Sequence, residues 1–184
     1  SIRMNFLEEA YEAVDALDLD DPVLMCEELG DVLMQVAFHT CMEQETGRFT
    51  WEQVCDGVCQ KLIERHPNIF GTQPGYEGIT DWDALKNKEK GRRTLADDLE
   101  SVPRAMPALM RAAKLQKRAA RHGAALQGAD AAALADAAEN LQTAQPASAQ
   151  AEQAVGELLF AAANLARQAG VDPEQALQKA NEAF

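Results

Sequence analysis

Apolar residues recur every three or four positions along nearly the whole chain, and nowhere do they alternate in the two-residue rhythm of a half-buried strand. The pattern predicts helices throughout. A first helix runs to about Leu17, and "DLDDP" then supplies an acidic cap with Pro22 at the first position of a second helix. Val23, Leu24, Leu29, Val32, Leu33, Val36 and Phe38 give that second helix a broad apolar face, which Gly47 ends. "TWEQ", residues 50–53, matches a Thr-x-x-Gln capping box and opens a third helix that stops near Pro67. Beyond the Gly- and Pro-rich "GTQPGYEG", Asp81 is placed to cap a short helix through "WDALKNKEK". From about Arg93 the pattern begins again, with a basic helix to Gly123, an alanine-rich helix to about Gln145 and a long helix over 149–169.

The two stretches are related. "ELGDVLMQVAF" (28–38) aligns with "AVGELLFAAAN" (154–164), and "TWEQVCDGVCQKL" (50–62) with "DPEQALQKANEAF" (172–184), so a helical unit is duplicated. The expected domains are residues 1–92 and 93–184. They differ chemically: the first holds 19 acidic residues, 8 basic ones and 5 alanines, the second 11, 9 and 29. Each repeat supplies only a few long helices, so the expected fold is all-α, with four-helix-bundle arrangements completed by a second copy of the chain.

Composition narrows the function. With 184 residues, 47% of them hydrophobic, the chain can build a real core. A net charge of −13 speaks against nucleic acid or an anionic membrane as partner, since both call for basic surface. The basic stretch "RAAKLQKRAAR" (111–121) interleaves its charges with Ala and Leu at helical spacing and reads as a solvated helix face. No apolar run approaches the roughly 20 residues that span a bilayer. Cys26, Cys41, Cys55 and Cys59 form no CxxC pair and read as reduced, mostly buried thiols, which points to the cytoplasm.

The acidic residues carry the chemistry. Glu8, Glu9 and Glu12 lie in "FLEEAYEAVDAL", and Glu27, Glu28 and Asp31 in "CEELGDVLMQV". Residues three apart share a helix face, so Glu9 with Glu12 and Glu28 with Asp31 each form a chelating pair. Four such charges repel one another unless a hard divalent cation such as Mg²⁺ sits among them. They are set among Phe6, Leu7, Tyr11, Leu29, Val32 and Leu33, and Gly30 interrupts the helix at a cost of about 0.5–1 kcal/mol relative to Ala, which reads as room for a close approach. In the second repeat Ala154 stands where Glu28 does, Glu157 where Asp31 does, and "ADAAE" (135–139) where "EEAYE" does, so the chelating set is incomplete there. His39 and His66 read as packing residues, and no Glu-x-x-His occurs, which argues against a ferritin-like di-iron bundle.

The spacing Glu-Glu-x-x-Glu, fifteen residues, Glu-x-x-Asp resembles the motif of the all-alpha nucleoside triphosphate pyrophosphohydrolases, specifically the MazG family. "FLEEAYE", "EELGDVLMQVAFH" and "KLIERHPNIF" look like the first domain of a two-domain MazG protein, and "PALMRAAKLQKRA" with "ALQKANEAF" like its second. Two features depart from that pattern. The Cys-Pro-Trp-Asp segment that precedes the first helix in such proteins is absent, so residues upstream of Ser1 are expected. In two-domain relatives the second site can be the better one, whereas here its carboxylates are depleted, which moves the expected working site to the first domain.

The resemblance implies tandem MazG-like repeats and hydrolysis of a nucleoside triphosphate to monophosphate and pyrophosphate, in house-cleaning or nucleotide-pool regulation. It implies Mg²⁺, with Mn²⁺ as a substitute, held by Glu9, Glu12, Glu28 and Asp31, with Glu8 or Glu9 as proton acceptor. Lys61 and Arg65 become triphosphate contacts, the alternative being an ordinary salt-bridging pair. Trp82 resembles a tryptophan that stacks on the base, with Lys86 one turn later, the alternative being an anchor for the short helix; Trp51 is expected to pack in the core. The rival to an enzyme is a non-catalytic helical module for dimerisation or partner binding. It gives no reason for one repeat to stay acidic while the other fills with alanine.

Overall fold

Side-chain N-caps open six of the nine described helices in the computed structural model, which describes residues 2–70, 90–91 and 94–184. Every regular element among the described residues is a helix. The chain divides into two units, residues 1–80 and 81–184. Residues 92 and 93, where the sequence pattern divides the domains, lie outside the described residues, as do Asp81 and all but the last residue of the expected short helix over 82–90.

The first unit is built on a hairpin of α1 (Ile2–Leu19) and α2 (Pro22–Glu45), which pack along each other. The turn is short because Asp20 takes a positive φ of 54°, which Asp tolerates better than most residues. Asp21 then caps α2, its carboxylate accepting from Val23 N at 2.9 Å and Leu24 N at 3.2 Å, with Pro22 preset for the first turn. Gly47, at φ 70°, closes α2. The capping box is formed as the sequence predicts: Thr50 N donates to Gln53 Oε1 at 2.9 Å and Gln53 N to Thr50 Oγ1 at 3.4 Å, opening α3 (Trp51–Arg65). A single turn, α4 (Pro67–Phe70), follows.

This unit has little interior of its own. Among its described residues the buried apolar ones are Ala13 and Ala16, and α3 buries none. Tyr11, Leu29, Leu33, Met34, Phe38 and Leu62 are all exposed. Two expectations are corrected here. Cys26, Cys41, Cys55 and Cys59 are exposed free thiols, because they lie on faces of α2 and α3 that nothing else in the described chain covers. Trp51, at the first turn of α3, is 38% exposed and does not fill a core.

The second unit is better packed. After α5 (Leu95–Glu100) and α6 (Ala108–Arg121), α7 (Ala131–Thr143) and α8 (Ala149–Gln168) form a hairpin; α6 packs on α8, and α9 (Pro173–Glu182) on α6 and α8. Ala119, Ala137, Ala154, Ala161 and Ala163 are buried, so small side chains let the helices approach closely while keeping helix propensity. Buried polar groups tie the helices together: Gln116 Nε2 donates to Phe160 O at 2.7 Å, and Asn164 Nδ2 to Ala129 O at 2.6 Å. Asp98, 2% exposed, pairs with Arg118 at 3.0 Å and lies 3.2 Å from His122 Nε2. Arg118 Nη1 also donates to the Asp98 carbonyl and to Ser101 Oγ. Removing one partner of such a buried pair costs about 3–5 kcal/mol.

Candidate metal and active site

The α1–α2 hairpin turns the two acidic pairs toward each other. Oxygens of Glu9, Glu28 and Asp31, all half-buried, lie within 4.8 Å of one another. Among the described residues no other group of three such ligands gathers this closely. Oxygens on opposite sides of a Mg²⁺ ion bound at 2.0–2.1 Å are about 4.1 Å apart, so small side-chain movements bring these three into range of one ion. Carboxylates are the hard oxygen donors that such a cation takes. The residues therefore fit a divalent metal.

Charge supports the same grouping. Glu12 is exposed at the surface of the cluster, and its carboxyl is pushed above its ordinary value by desolvation first, then by the charge of Glu9 and a hydrogen bond to it, with Glu8 and Asp31 adding repulsion. Glu28 is pushed up by desolvation and then by Glu12, Asp31, Glu27 and Glu9. Each list of neighbours reaches across the hairpin, so the four carboxylates form one electrostatic unit. Glu8 is exposed at its edge.

One member went unread in the sequence. Gln35, only 5% exposed, donates from Nε2 to Glu9 Oε1 at 3.3 Å and so tethers an α1 carboxylate to α2. Its signal was present in the spacing: Gln35 follows Asp31 by four and Glu28 by seven, on the same stripe of the helix. A polar residue on a stripe that faces another helix is a candidate for bonding across it. Nearby, the Phe6 and His39 rings meet edge to face at 5.9 Å, which gives His39 the packing role expected of it.

The remaining predicted residues fall differently. Lys61 is exposed and Arg65 half-buried on α3, which packs on α2. Trp82 and Lys86 lie outside the described residues. A methyl group at Gly30 would meet no atom within 4 Å, so nothing in its own unit requires that glycine. In the second unit Asp136 and Glu157 line a cavity of about 660 Å³ with Gly156 and Phe160. There the position of Glu28 is filled by Ala154, 2% exposed and without a ligand atom.

Comparison with known proteins points the same way. The MazG nucleotide pyrophosphohydrolase domain matches residues 1–70. The chain is 39% identical over 187 residues to a nucleoside triphosphate pyrophosphohydrolase of Escherichia coli (strain K12), covering 97% of this chain and 71% of that protein. It is 37% identical over 186 residues to the nucleoside triphosphate pyrophosphohydrolase/pyrophosphatase MazG of Thermotoga maritima, covering all of this chain and 72% of the relative. A Mycobacterium tuberculosis nucleoside triphosphate pyrophosphohydrolase is 36% identical over 127 residues, 67% of this chain and 38% of its own length.

The raised carboxyls predict a pH dependence with a definite sign. Folded Glu12 and Glu28 hold protons to higher pH than they do unfolded, so the stability they contribute is fully present below the unfolded value and is lost as pH rises through the folded one. In metal-free buffer these two groups are therefore expected to lower the melting temperature as pH rises from about 4 to about 7, and Glu12→Gln with Glu28→Gln should reduce that difference. Thermal melts in which the double variant keeps the full difference would contradict the assignment.

Proposed function

The chain belongs to the MazG nucleotide pyrophosphohydrolase family, and we propose that its first unit performs the reaction this membership implies, hydrolysis of a nucleoside triphosphate to the monophosphate and pyrophosphate. The observation that carries this reading is the convergence of Glu9, Glu28 and Asp31 from two helices within 4.8 Å. A triphosphate brings about four negative charges, which this cluster repels without a cation between them. We assign Mg²⁺, with Mn²⁺ as a substitute, to Glu9, Glu12, Glu28 and Asp31. A cation held there supplies charge neutralisation, orientation of the phosphates and a more acidic water.

The chain's own groups do the rest. Gln35 holds Glu9 in register with α2, so the α1 carboxylates keep their place as charge is neutralised. One of Glu8 and Glu9 accepts the proton of the attacking water. Lys61 and Arg65, four apart on α3, neutralise phosphate oxygens that the metal leaves uncovered. By family resemblance Trp82 stacks on the base, and Lys86, four residues on, also binds the substrate. The second unit serves as a scaffold whose metal site is depleted. No described helix is long and apolar enough to cross a membrane, and a cytoplasmic location would keep the four cysteines as thiols.

We also propose a homodimer. Among the described residues of this unit two alanines are the buried apolar side chains, and the exposed Leu29, Leu33, Met34 and Phe38 give α2 a face that a second copy can cover. The open space at Gly30 lets a partner helix or a substrate come close to the carboxylates.

Two measurements test these readings. Mg²⁺-dependent release of pyrophosphate from nucleoside triphosphates by the purified chain should fall by about 10²-fold or more in Glu28→Gln, and undiminished release would refute the site. Light scattering should give twice the chain mass at micromolar concentration and a single chain for Phe38→Glu; a monomeric parent protein would remove the dimer.

A further inference from the structure

The basic stretch at 111–121 is more than a solvated helix face. Lys114, Lys117, Arg118 and Arg121 on α6 line a groove of about 640 Å³ together with Arg167 at the end of α8. Five of the chain's 17 basic residues thus converge on one groove of a protein whose net charge is −13. Among the described residues of the groove wall Asp172 is the one acid, and its Oδ1 accepts from Glu174 N at 3.0 Å and Gln175 N at 3.1 Å, capping α9. Arg118 is neutralised by Asp98, and against Lys114, Lys117 and Arg167 the described wall sets a single carboxylate, Asp172, so the groove keeps a net positive charge.

Parts of this groove are held in place. Arg167 Nε donates to Asn164 Oδ1 at 2.9 Å, and Asn164 is itself fixed to the Ala129 carbonyl. Arg118, 6% exposed, is pinned through Nη1 while its buried Nε has no hydrogen-bond partner. Guanidinium groups fixed in advance lose less entropy when they bind an anion. Met106, Met110 and Val171 add an apolar wall. The volume falls in the range of small-ligand sites, too small for a folded partner. On α8 the groove lies about three turns, roughly 16 Å, from Gly156 in the counterpart of the carboxylate site, so the two are separate places.

We infer that this groove of the second unit is a binding site for a small oligophosphate, either free pyrophosphate or tripolyphosphate or the phosphate chain of a nucleotide. Closely spaced lysines and fixed guanidiniums suit adjacent phosphate charges, and no metal is needed to bring the anion in. The site therefore works where the carboxylate cluster of the first unit cannot.

That difference provides the test. In buffer with excess EDTA the carboxylates of the first unit repel phosphate, so calorimetric titration of the whole chain with tripolyphosphate, pyrophosphate and ATP reads the groove alone, whether or not the hydrolytic reading holds. Saturable binding with a dissociation constant below about 1 mM is expected, weakened at least about tenfold in Lys114→Ala with Lys117→Ala. Both lysines are exposed, so the variant should fold, which its circular dichroism checks. Binding should weaken further as salt is raised. Equal affinity for tripolyphosphate and ATP identifies the phosphate chain as the ligand. Tighter binding of ATP, with the advantage lost in Met110→Ala, identifies a nucleotide. No saturable binding, binding indifferent to the lysine substitutions, or tighter binding of a single-stranded oligonucleotide than of any of these would each overturn the inference.

Discussion

Like charges held close together are the constraint on which this molecule turns. The α1–α2 hairpin brings Glu9, Glu28 and Asp31 within 4.8 Å and places Glu12 beside them, at a desolvation and repulsion cost that shows in the raised carboxyls of Glu12 and Glu28. A helix pair under no functional demand is free to relieve such repulsion by rotating or by substitution. In the first repeat the strain remains, and Gln35 ties Glu9 into it. A cation that neutralises the cluster turns this cost into affinity, and with it into the ability to accept a triphosphate.

The two units differ in how much apolar surface they bury. In the first, the described apolar side chains other than two alanines remain partly or wholly exposed. In the second, alanine-lined helix contacts and buried polar ties such as Gln116 to Phe160 and Asn164 to Ala129 close an interior within one chain. The uneven distribution of acid and alanine along the sequence follows the same division.

Local signals were legible because they are local. The Thr50–Gln53 capping box, the Asp21 cap with Pro22 and the end of α2 at Gly47 each need only a few neighbouring residues, and each formed as the pattern predicts. The acidic pairs were legible because three-residue spacing fixes a helix face. Gln35 was missed because its partner is 26 residues away, and the register of one helix against another is not encoded in either helix alone. The cysteines and Trp51 were misplaced for a related reason: an apolar face shows that a side chain prefers cover, but not whether its own chain supplies it. Likewise the basic stretch of α6 became a groove only when Arg167, on α8, was brought to it.

The central claim is that the hairpin gathers its carboxylates around a divalent ion. Anomalous diffraction from crystals grown with Mn²⁺ tests it most directly. The account predicts a peak bounded by the carboxylate oxygens of Glu9, Glu28 and Asp31, with Glu12 drawn toward it. A metal-saturated crystal with no peak at that place, and those side chains turned into solvent, would contradict it.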